Sequence, residues 1–298
     1  MLYLIILYRK VVRFMKKLFV TDKYNDKKLS KFIFDNFPYL SYNIFYKALR
    51  QKDIKINGKR INKDCTISYN DEITIYICDN LLFPLKNLDI VYEDDNILII
   101  NKEANIEVTG DNSLTTIIHQ KYCNCTFLPM PCHRLDRNTT GLVLFAKNEI
   151  ALKILLDKFK QHEIKKFYYA LVYGTPSPNT ARLESFLFKD NKKSIVYISD
   201  IPKTGYQKII TSYSVLESYN NGSSLLEVEI ETGKTHQIRA HLAHIGHPII
   251  GDGKYGINAI NKKFGFKYQQ LCSYKLIFNF CSDAGILNYL NGKCFIKK

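Results

Sequence analysis

Apolar residues near the start of the chain recur with the spacing of two short amphipathic helices. A helix turns once in about 3.6 residues, so apolar side chains three and four positions apart share one face. The first set comprises Leu29, Phe32, Ile33 and Phe37, and the second comprises Ile44, Phe45, Ala48 and Leu49. Ser41 precedes the second set, where its hydroxyl can cap a helix N-terminus. The pattern predicts two consecutive helices.

A strand pattern follows these two helices. Residues 53–56 read Asp-Ile-Lys-Ile and lead into Asn57-Gly58, a pair that favours a two-residue hairpin turn. Ile73, Ile75 and Ile77 then alternate with polar residues, as in a half-buried strand. Two helices followed by a small sheet predict a compact α+β unit.

The pattern changes after residue 88, where apolar runs of strand length predominate. These runs are Ile97–Ile100, Leu142–Ala146, Tyr168–Tyr173, Leu225–Ile230 and Lys275–Phe280. One helix is predicted over residues 149–161, with Leu152, Leu155, Leu156 and Phe159 on its apolar face. Strands and helices do not alternate as in a doubly wound fold. We predict an α+β domain with a mixed, mostly antiparallel central sheet and peripheral helices.

These patterns divide the chain into four segments. They are an N-terminal extension over residues 1–26, a small α+β domain over 27–78, a linker over 79–88 that contains Pro84, and a larger domain over 89–298. The extension opens with a short apolar run followed by basic residues, the reverse of the order in a secretory signal. The run is also too short to span a bilayer. We expect either a start at Met15 or a frayed N-terminal arm, and no membrane segment.

The charge of the chain points to a polyanionic partner. Lys and Arg number 43 against 28 Asp and Glu, which gives a formal charge of +15 and a pI near 9.3. A basic set lies between the second predicted helix and the hairpin: Lys47, Arg50, Lys52, Lys55, Lys59 and Arg60. Such a set suits RNA phosphates, although a solvated face in a lysine-rich chain would look the same. Eight scattered cysteines favour free thiols in a reducing cytoplasm.

Two histidine-containing clusters invite a metal interpretation, and neither supports it. Cys123, Cys125, Cys132 and His133 do not have the spacing of a zinc knuckle or ribbon. A second cluster comprises His236, His241, His244 and His247. It contains no His-Glu-x-x-His pattern and no acidic ligand at a useful helical spacing. We therefore expect no metal site.

Three polar stretches stand next to predicted strands and carry the candidate chemistry. The first is HRLDRNTTGLVLFAKN, residues 133–148, in which Asp136 lies on a turn before a buried strand. The second is KKFYYALVYG, residues 165–174, and the third is ETGKTHQIRAHLAHIGHPIIGDGKYG, residues 231–256. From the residues alone, Asp136 could be a reactive carboxylate or could cap its turn and pair with a neighbouring arginine.

All three stretches resemble the motifs of the RluA-type pseudouridine synthases. The run HRLD-x-x-T-T-G-L matches the signature of that family, and the resemblance implies that Asp136 is the catalytic residue. It implies that Tyr168 stacks on the target base and is a candidate to help remove a proton from the ring. It also implies that Arg239 pairs with the catalytic aspartate, since a guanidinium can stabilise a carboxylate in a partly dry cleft.

The small N-terminal domain resembles the S-four-type RNA-binding domain, in which the second helix and the following turn contact phosphates of folded RNA. That resemblance implies RNA contacts from Lys47, Arg50, Lys55, Lys59 and Arg60. In the larger domain, the candidate substrate contacts are Arg134, His133, Lys234 and His236.

The chain departs from the RluA-type motifs at two places. Lys234 stands where the family commonly has arginine. Residues 101–106 read NKEANI where the family usually has a lysine-proline-x-glycine turn, which leaves the loop near Lys102 in question.

The resemblance implies an RNA pseudouridine synthase that needs no cofactor and no metal. Its target uridine must be flipped out of structured RNA into the cleft. The domain arrangement resembles that of enzymes acting on large-subunit ribosomal RNA, and tRNA is the alternative substrate. No obligate protein partner is inferred. Two other functions stay open from the sequence: an RNA-binding protein without catalysis, and a hydrolase that uses Asp136 with a histidine such as His133.

Overall fold

The computed structural model describes residues 15–37, 40–77, 88–110, 113–123 and 125–297. The chain divides into two compact units, the first formed by residues 1–87 with 119–124 and the second by residues 88–118 with 125–298. Residues 1–14 of the predicted extension and residues 79–87 of the predicted linker lie outside the described residues.

The described residues of the first unit form two α-helices and a four-stranded antiparallel sheet. The elements are β1 (Lys16–Phe19), β2 (Lys27–Lys28), α1 (Leu29–Asn36), α2 (Tyr42–Arg50), β3 (Ile54–Ile56), β4 (Lys59–Ile61), β5 (Thr66–Ile67) and β6 (Glu72–Ile75). The strand order of the sheet is β1-β6-β3-β4. Strand β1 comes from the segment that the sequence pattern assigned to the N-terminal extension, and it pairs with β6.

The local signals in this unit have the predicted physical basis. The Ser41 hydroxyl accepts a hydrogen bond from the Ile44 N–H at 3.4 Å and caps α2. Asn57 and Gly58 both adopt positive φ, 47° and 79°, as a two-residue hairpin turn of type I′ requires. The last strand differs from prediction because Thr74 is buried together with its neighbours, and because the strand ends before Ile77.

The second unit is built on one large mixed sheet. Its elements are β7 (Ile90–Glu93), β8 (Ile97–Lys102), residues 114–118 of α3 (Leu114–Lys121), β9 (Met130–Pro131), β10 (Thr140–Ala146), α4 (Glu149–Lys160), β11 (Ile164–Tyr173), β12 (Thr180–Asp190), β13 (Ile195–Ser199), β14 (Gln207–Tyr219), β15 (Ser223–Ile230), α5 (Gln237–His244), α6 (Asn258–Phe264), β16 (Leu271–Phe278) and β17 (Cys294–Ile296). The strand order is β13-β12-β14-β15-β11-β16-β10-β8-β7, with β17 added to β16 and β9 to β10. Within the described ranges β10 and β16 form the one parallel pair, so the predicted fold class is confirmed.

Helix α4 shows where the predicted apolar face was wrong. Leu155 is fully buried in the core that α4 forms with strands β8, β10 and β16. Leu156 instead is 46% exposed, because one residue further along a helix turns the side chain about 100° towards solvent. Asn148 caps the N-terminus of the helix, and its side-chain oxygen accepts the Ala151 N–H at 2.8 Å. Lys158 is buried on the same side as Leu155, where its ammonium pairs with Glu163 at 2.7 Å.

The parallel pairing of β10 and β16 depends on a glycine. Gly141 pairs with Ser273 and has a φ of 107°. A Cβ at this position would stand 2.1 Å from the Ser273 carbonyl oxygen, so no larger residue fits without a backbone shift. This close approach fixes the strand that directly follows the Asp136 turn. Among the described helices, none has the length and apolar character needed to cross a membrane.

Candidate active site

The three motifs meet in one cleft of about 230 Å³ in the second unit. The residues that line it are His133, Arg134, Leu135, Asp136, Thr139, Lys166, Tyr168, Ile230, Gly233, Lys234, Thr235, His236, Gln237, Ile238, Arg239 and Leu271. Asp136 comes from the turn before β10, Tyr168 from β11 and Arg239 from α5. Residues far apart in sequence are thereby brought to one place.

A buried lysine holds the turn that carries Asp136. Lys102 is 1% exposed, and its ammonium donates hydrogen bonds to the carbonyl oxygens of Glu103 at 2.8 Å, Ile106 at 2.8 Å and Arg137 at 3.0 Å. The Arg137 carbonyl lies next to Asp136, so Lys102 links strand β8 to the turn that carries Asp136. The Asp136 carbonyl in turn accepts the Thr139 N–H at 3.1 Å.

The same contacts explain the unusual NKEANI sequence. Asn105 stands where the family's lysine-proline-x-glycine turn has glycine, and its φ is 65°. Asparagine tolerates this left-handed conformation better than most other residues. The loop therefore closes around Lys102 without proline or glycine.

Arg239 connects Asp136 to a second carboxylate that the sequence analysis did not identify. Its Nη1 donates to Asp136 Oδ2 at 2.9 Å, while Nε and Nη2 donate to Asp252 Oδ2 and Oδ1 at 2.7 and 2.9 Å. The Asp252 side chain is fully buried and that of Asp136 is 25% exposed. The bidentate pair with Asp252 fixes the orientation of the guanidinium, and the remaining nitrogen, Nη1, contacts Asp136.

Asp252 is itself held by the backbone that follows it. Its Oδ1 accepts the N–H groups of Lys254 at 2.8 Å and Tyr255 at 3.1 Å. Hydrogen bonds from Arg239, the charge of Arg239 and these two N–H groups lower the pKa of Asp252, although burial alone would raise it. The Tyr255 ring also lies 5.3 Å from the Arg239 guanidinium carbon. Asp252 lies within the third motif, and this position is the signal in the sequence that could have identified it as a site residue.

Tyr168 is 5% exposed and lies in the cleft. Burial raises the pKa of its phenol above the ordinary value, and the nearby charge of Asp136 raises it further. The phenol therefore stays protonated at neutral pH. This electrostatic environment suits a tyrosine that packs on a base better than one that removes a proton as phenolate.

His133 cannot supply a free base from its Nε2 atom. Nε2 accepts the Leu144 N–H at 3.1 Å, so the proton of the neutral ring is on Nδ1, which is buried without a hydrogen-bond partner in the described structure. Burial, assisted by the charge of Lys166, lowers the pKa of His133 to about 3. The hydrolase hypothesis, in which His133 activates a nucleophile with Asp136, therefore has no geometric support.

The other predicted substrate contacts differ in exposure. Arg134 and Lys234 are exposed at the cleft, where their charges can meet RNA. His236 is half-buried and directly precedes α5, with a φ of 53°. Its Nδ1 lies 2.9 Å from the Tyr255 hydroxyl, and burial lowers its pKa. His236 thus joins the cleft to the segment that carries Asp252.

The basic residues of the first unit lie mostly on its surface. Lys47, Arg50, Lys59 and Arg60 are exposed, whereas Lys55 is half-buried with its ammonium 5.1 Å from the Tyr76 ring centre. Lys47 and Arg50 occupy the last turn of α2, and Lys59 and Arg60 lie on β4 after the hairpin turn. Their RNA contacts remain a prediction.

No group of three or more His, Cys, Asp or Glu side chains is arranged to hold a metal ion in the described part of the chain. In the histidine cluster of the third motif, His241 and His244 are instead engaged in hydrogen bonds with other residues. His241 is fully buried between Thr211 at 3.0 Å and Ser185 at 3.2 Å, while His244 pairs with Asp200 at 2.9 Å.

Known proteins resemble this chain in both sequence and fold. A family model described as RNA pseudouridylate synthase matches residues 96–244. The ribosomal large subunit pseudouridine synthase C of Rickettsia felis is 33% identical over 251 residues, covering 77% of this chain and 81% of that protein. A Mycoplasma capricolum protein named as an RNA pseudouridine synthase is 32% identical, covering 95% and 97%. The human RNA pseudouridylate synthase domain containing 1 shares the fold, with a TM-score of 0.57 and 24% identity over 67% of this chain and 82% of its own.

Proposed function

The chain belongs to the RNA pseudouridylate synthase family, and from that premise we propose that it isomerises specific uridines of large-subunit ribosomal RNA through Asp136. The observation that supports the role of Asp136 most directly is its hydrogen bond with Arg239 inside a cleft that Tyr168 also lines. The choice of RNA rests on relatives such as the Rickettsia felis protein, whose name specifies the large ribosomal subunit.

The reaction is an isomerisation whose atoms balance without a second substrate. The bond between N1 of uracil and C1′ of ribose breaks, the ring turns, and C5 forms the new bond to C1′. The C5 hydrogen leaves as a proton and N1 gains a proton. No electron acceptor, metal or phosphate donor is required.

Asp136 is proposed to begin this sequence as nucleophile or base. Arg239 donates a hydrogen bond to Oδ2 of Asp136, and none of the described residues donates a hydrogen bond to its Oδ1. Oδ1 is therefore available to the reacting atoms of the substrate. The donated N–H of Arg239 stabilises negative charge on the carboxylate. Attack on the ring, attack on the sugar and elimination to a glycal would all use this same oxygen.

Tyr168 is proposed to pack on the flipped uracil as a neutral phenol. A uracil that is stacked inside an RNA helix cannot reach a carboxylate in a cleft of the protein. The uridine must therefore leave the helix, at a cost of a few kcal/mol. Stacking on an aromatic ring recovers about 1–3 kcal/mol per base. Arg134, exposed beside Asp136, is proposed to occupy the place of the flipped base or to bind its phosphate.

We place this activity in the cytoplasm, where free thiols persist. Cys65, Cys132, Cys272, Cys281 and Cys294 are free cysteines, and Cys132 is buried. Transfer RNA is the second candidate substrate, since a flipped uridine in any structured RNA would satisfy the same cleft.

The proposal is tested with RNA that carries tritium at C5 of uracil, because each turnover releases that hydrogen to water. Purified protein is mixed with unmodified large-subunit ribosomal RNA transcript or with unmodified tRNA. Asp136→Asn should release no tritium, whereas Asp200→Asn, which changes a carboxylate outside the cleft, should match wild type. Release at the wild-type rate from Asp136→Asn would remove Asp136 from the mechanism, and release from tRNA alone would replace the proposed substrate.

A further inference from the structure

Lys166 places a positive charge in the cleft that the proposed chemistry does not use. It lies two residues before Tyr168 on β11, and both side chains line the cleft. Its Nζ lies 5.1 Å from the centre of the Phe159 ring and 3.6 Å from the position that a Cβ on Gly233 would take. The ammonium is thus held between helix α4 and the glycine of the third motif.

This ammonium has no carboxylate partner among the residues that the structure describes. The adjacent Lys165, on the opposite face of the strand, pairs with Glu229 at 3.5 Å. Burial lowers the pKa of Lys166 to about 8, which reflects the free-energy cost of removing an unpaired cation from water. A ligand that brings negative charge into the cleft would offset that cost.

The cleft as a whole is short of negative charge. Asp136 is the single acidic residue among its described lining residues, and Arg239 already pairs with it. Lys166 and the exposed Arg134 and Lys234 add three further cations. RNA supplies one phosphate with every nucleotide, and lysine binds phosphate as a compact point charge.

The position of Lys166 favours phosphate over the uracil ring. Arg239 is the cation that contacts the Asp136 carboxylate, whereas the Lys166 ammonium lies beside Phe159 and Gly233. A uridine that presents its base and C1′ to Asp136 and Tyr168 leaves its backbone phosphates for a cation that is not engaged with Asp136.

We infer that Lys166 binds a backbone phosphate of the nucleotide flipped into the cleft and so positions the target uridine, an inference that rests on the proposed function. The contact is independent of sequence, because phosphates carry no base identity. Its loss should weaken RNA binding and should reduce the dependence of that binding on salt.

The test measures equilibrium binding of unmodified large-subunit ribosomal RNA transcript across a salt series. All variants carry Asp136→Asn, so that the RNA is not converted during the measurement. Lys166→Met and Lys166→Gln remove the charge, Lys166→Arg keeps it, and Lys165→Met removes the neighbouring charge outside the cleft. Thermal unfolding of each variant checks that the fold is retained.

The neutral Lys166 variants should bind about tenfold or more weakly, as expected for one lost charge-assisted contact. The slope of log affinity against log salt should become shallower by about 0.7–0.9. Lys166→Arg and Lys165→Met should keep the slope of the parent protein. Unchanged affinity and slope in folded Lys166→Met would overturn the inference. Tritium release by wild type from the same transcript tests the proposed function separately, so either claim can fail alone.

Discussion

Removal of the Asp252 carboxylate should destabilise the fold and disable the cleft together. The Asp252 carboxylate accepts four hydrogen bonds, two from Arg239 and two from the backbone N–H groups of Lys254 and Tyr255. Asp252→Ala leaves the guanidinium of Arg239 buried with Asp136 as its one remaining carboxylate partner in the described structure. It also leaves two N–H groups without an acceptor.

The magnitude follows from the burial of both partners. The side chain of Asp252 is fully buried and that of Arg239 is 7% exposed, so solvent cannot replace the lost carboxylate. Breaking such a pair by removing one partner costs about 3–5 kcal/mol. Against a typical total of about 5–15 kcal/mol, this loss is large but leaves a measurable folded population. Asp200→Ala removes an exposed carboxylate that pairs with His244 and should cost about 1 kcal/mol or less.

The assay is equilibrium unfolding in urea, with tritium release measured where each variant is still folded. Asp252→Ala should lose about 3–5 kcal/mol of unfolding free energy. Its rate should also fall under folded conditions, because Arg239 no longer holds a fixed orientation towards Asp136. If Asp252→Ala unfolds within about 1 kcal/mol of wild type, as Asp200→Ala should, the reasoning about the buried pair is wrong.

Three further predictions concern the fold and its pH dependence. Leu155→Ala should cost about 2–5 kcal/mol in urea unfolding, and Leu156→Ala about 0.5 kcal/mol or less; equal losses would contradict the assignment of the buried face. Lys102→Met should lower the unfolding free energy by about 2 kcal/mol or more and slow tritium release, because the Arg137 carbonyl loses its hydrogen-bond donor. A wild-type rate of release would show that the Asp136 turn keeps its conformation without Lys102. His241 has a folded pKa lowered to about 4, so its neutral form stabilises the fold above the unfolded pKa of about 6.5, and this stability is lost as pH falls towards 4. When the pH is lowered from 7 to 5, the unfolding free energy of His241→Gln should fall by about 2 kcal/mol less than that of wild type. An equal fall in both proteins would refute this role of His241.

The sequence identified the cleft better than it identified the sheet. The motifs containing Asp136, Tyr168 and Arg239 are local runs of residues, and each could be found without knowing what it contacts. Asp252 was missed because its importance lies in a contact with Arg239 that only the folded chain creates.

Strands β12, β13 and β14 were missed for a different reason. These strands bury the polar residues Ser185 and Thr211 and expose the apolar residue Leu216, so the apolar–polar alternation that marks a strand is weak in their sequence. Their stability comes from long antiparallel pairing with one another and with β15, which a periodicity search along one segment cannot detect. Helix α5 was missed for a similar reason, because it buries the polar residues Gln237, Arg239 and His241 along with apolar ones, so its sequence has no separate apolar face.

The most direct test of the central claim is a map of pseudouridines in ribosomal RNA from three strains. One strain lacks the gene, one is rescued with wild type, and one is rescued with Asp136→Asn at equal protein level. We predict that specific large-subunit positions lose pseudouridine in the deletion strain and that only the wild-type gene restores them. Restoration by Asp136→Asn, or an unchanged map in the deletion strain, would contradict the account.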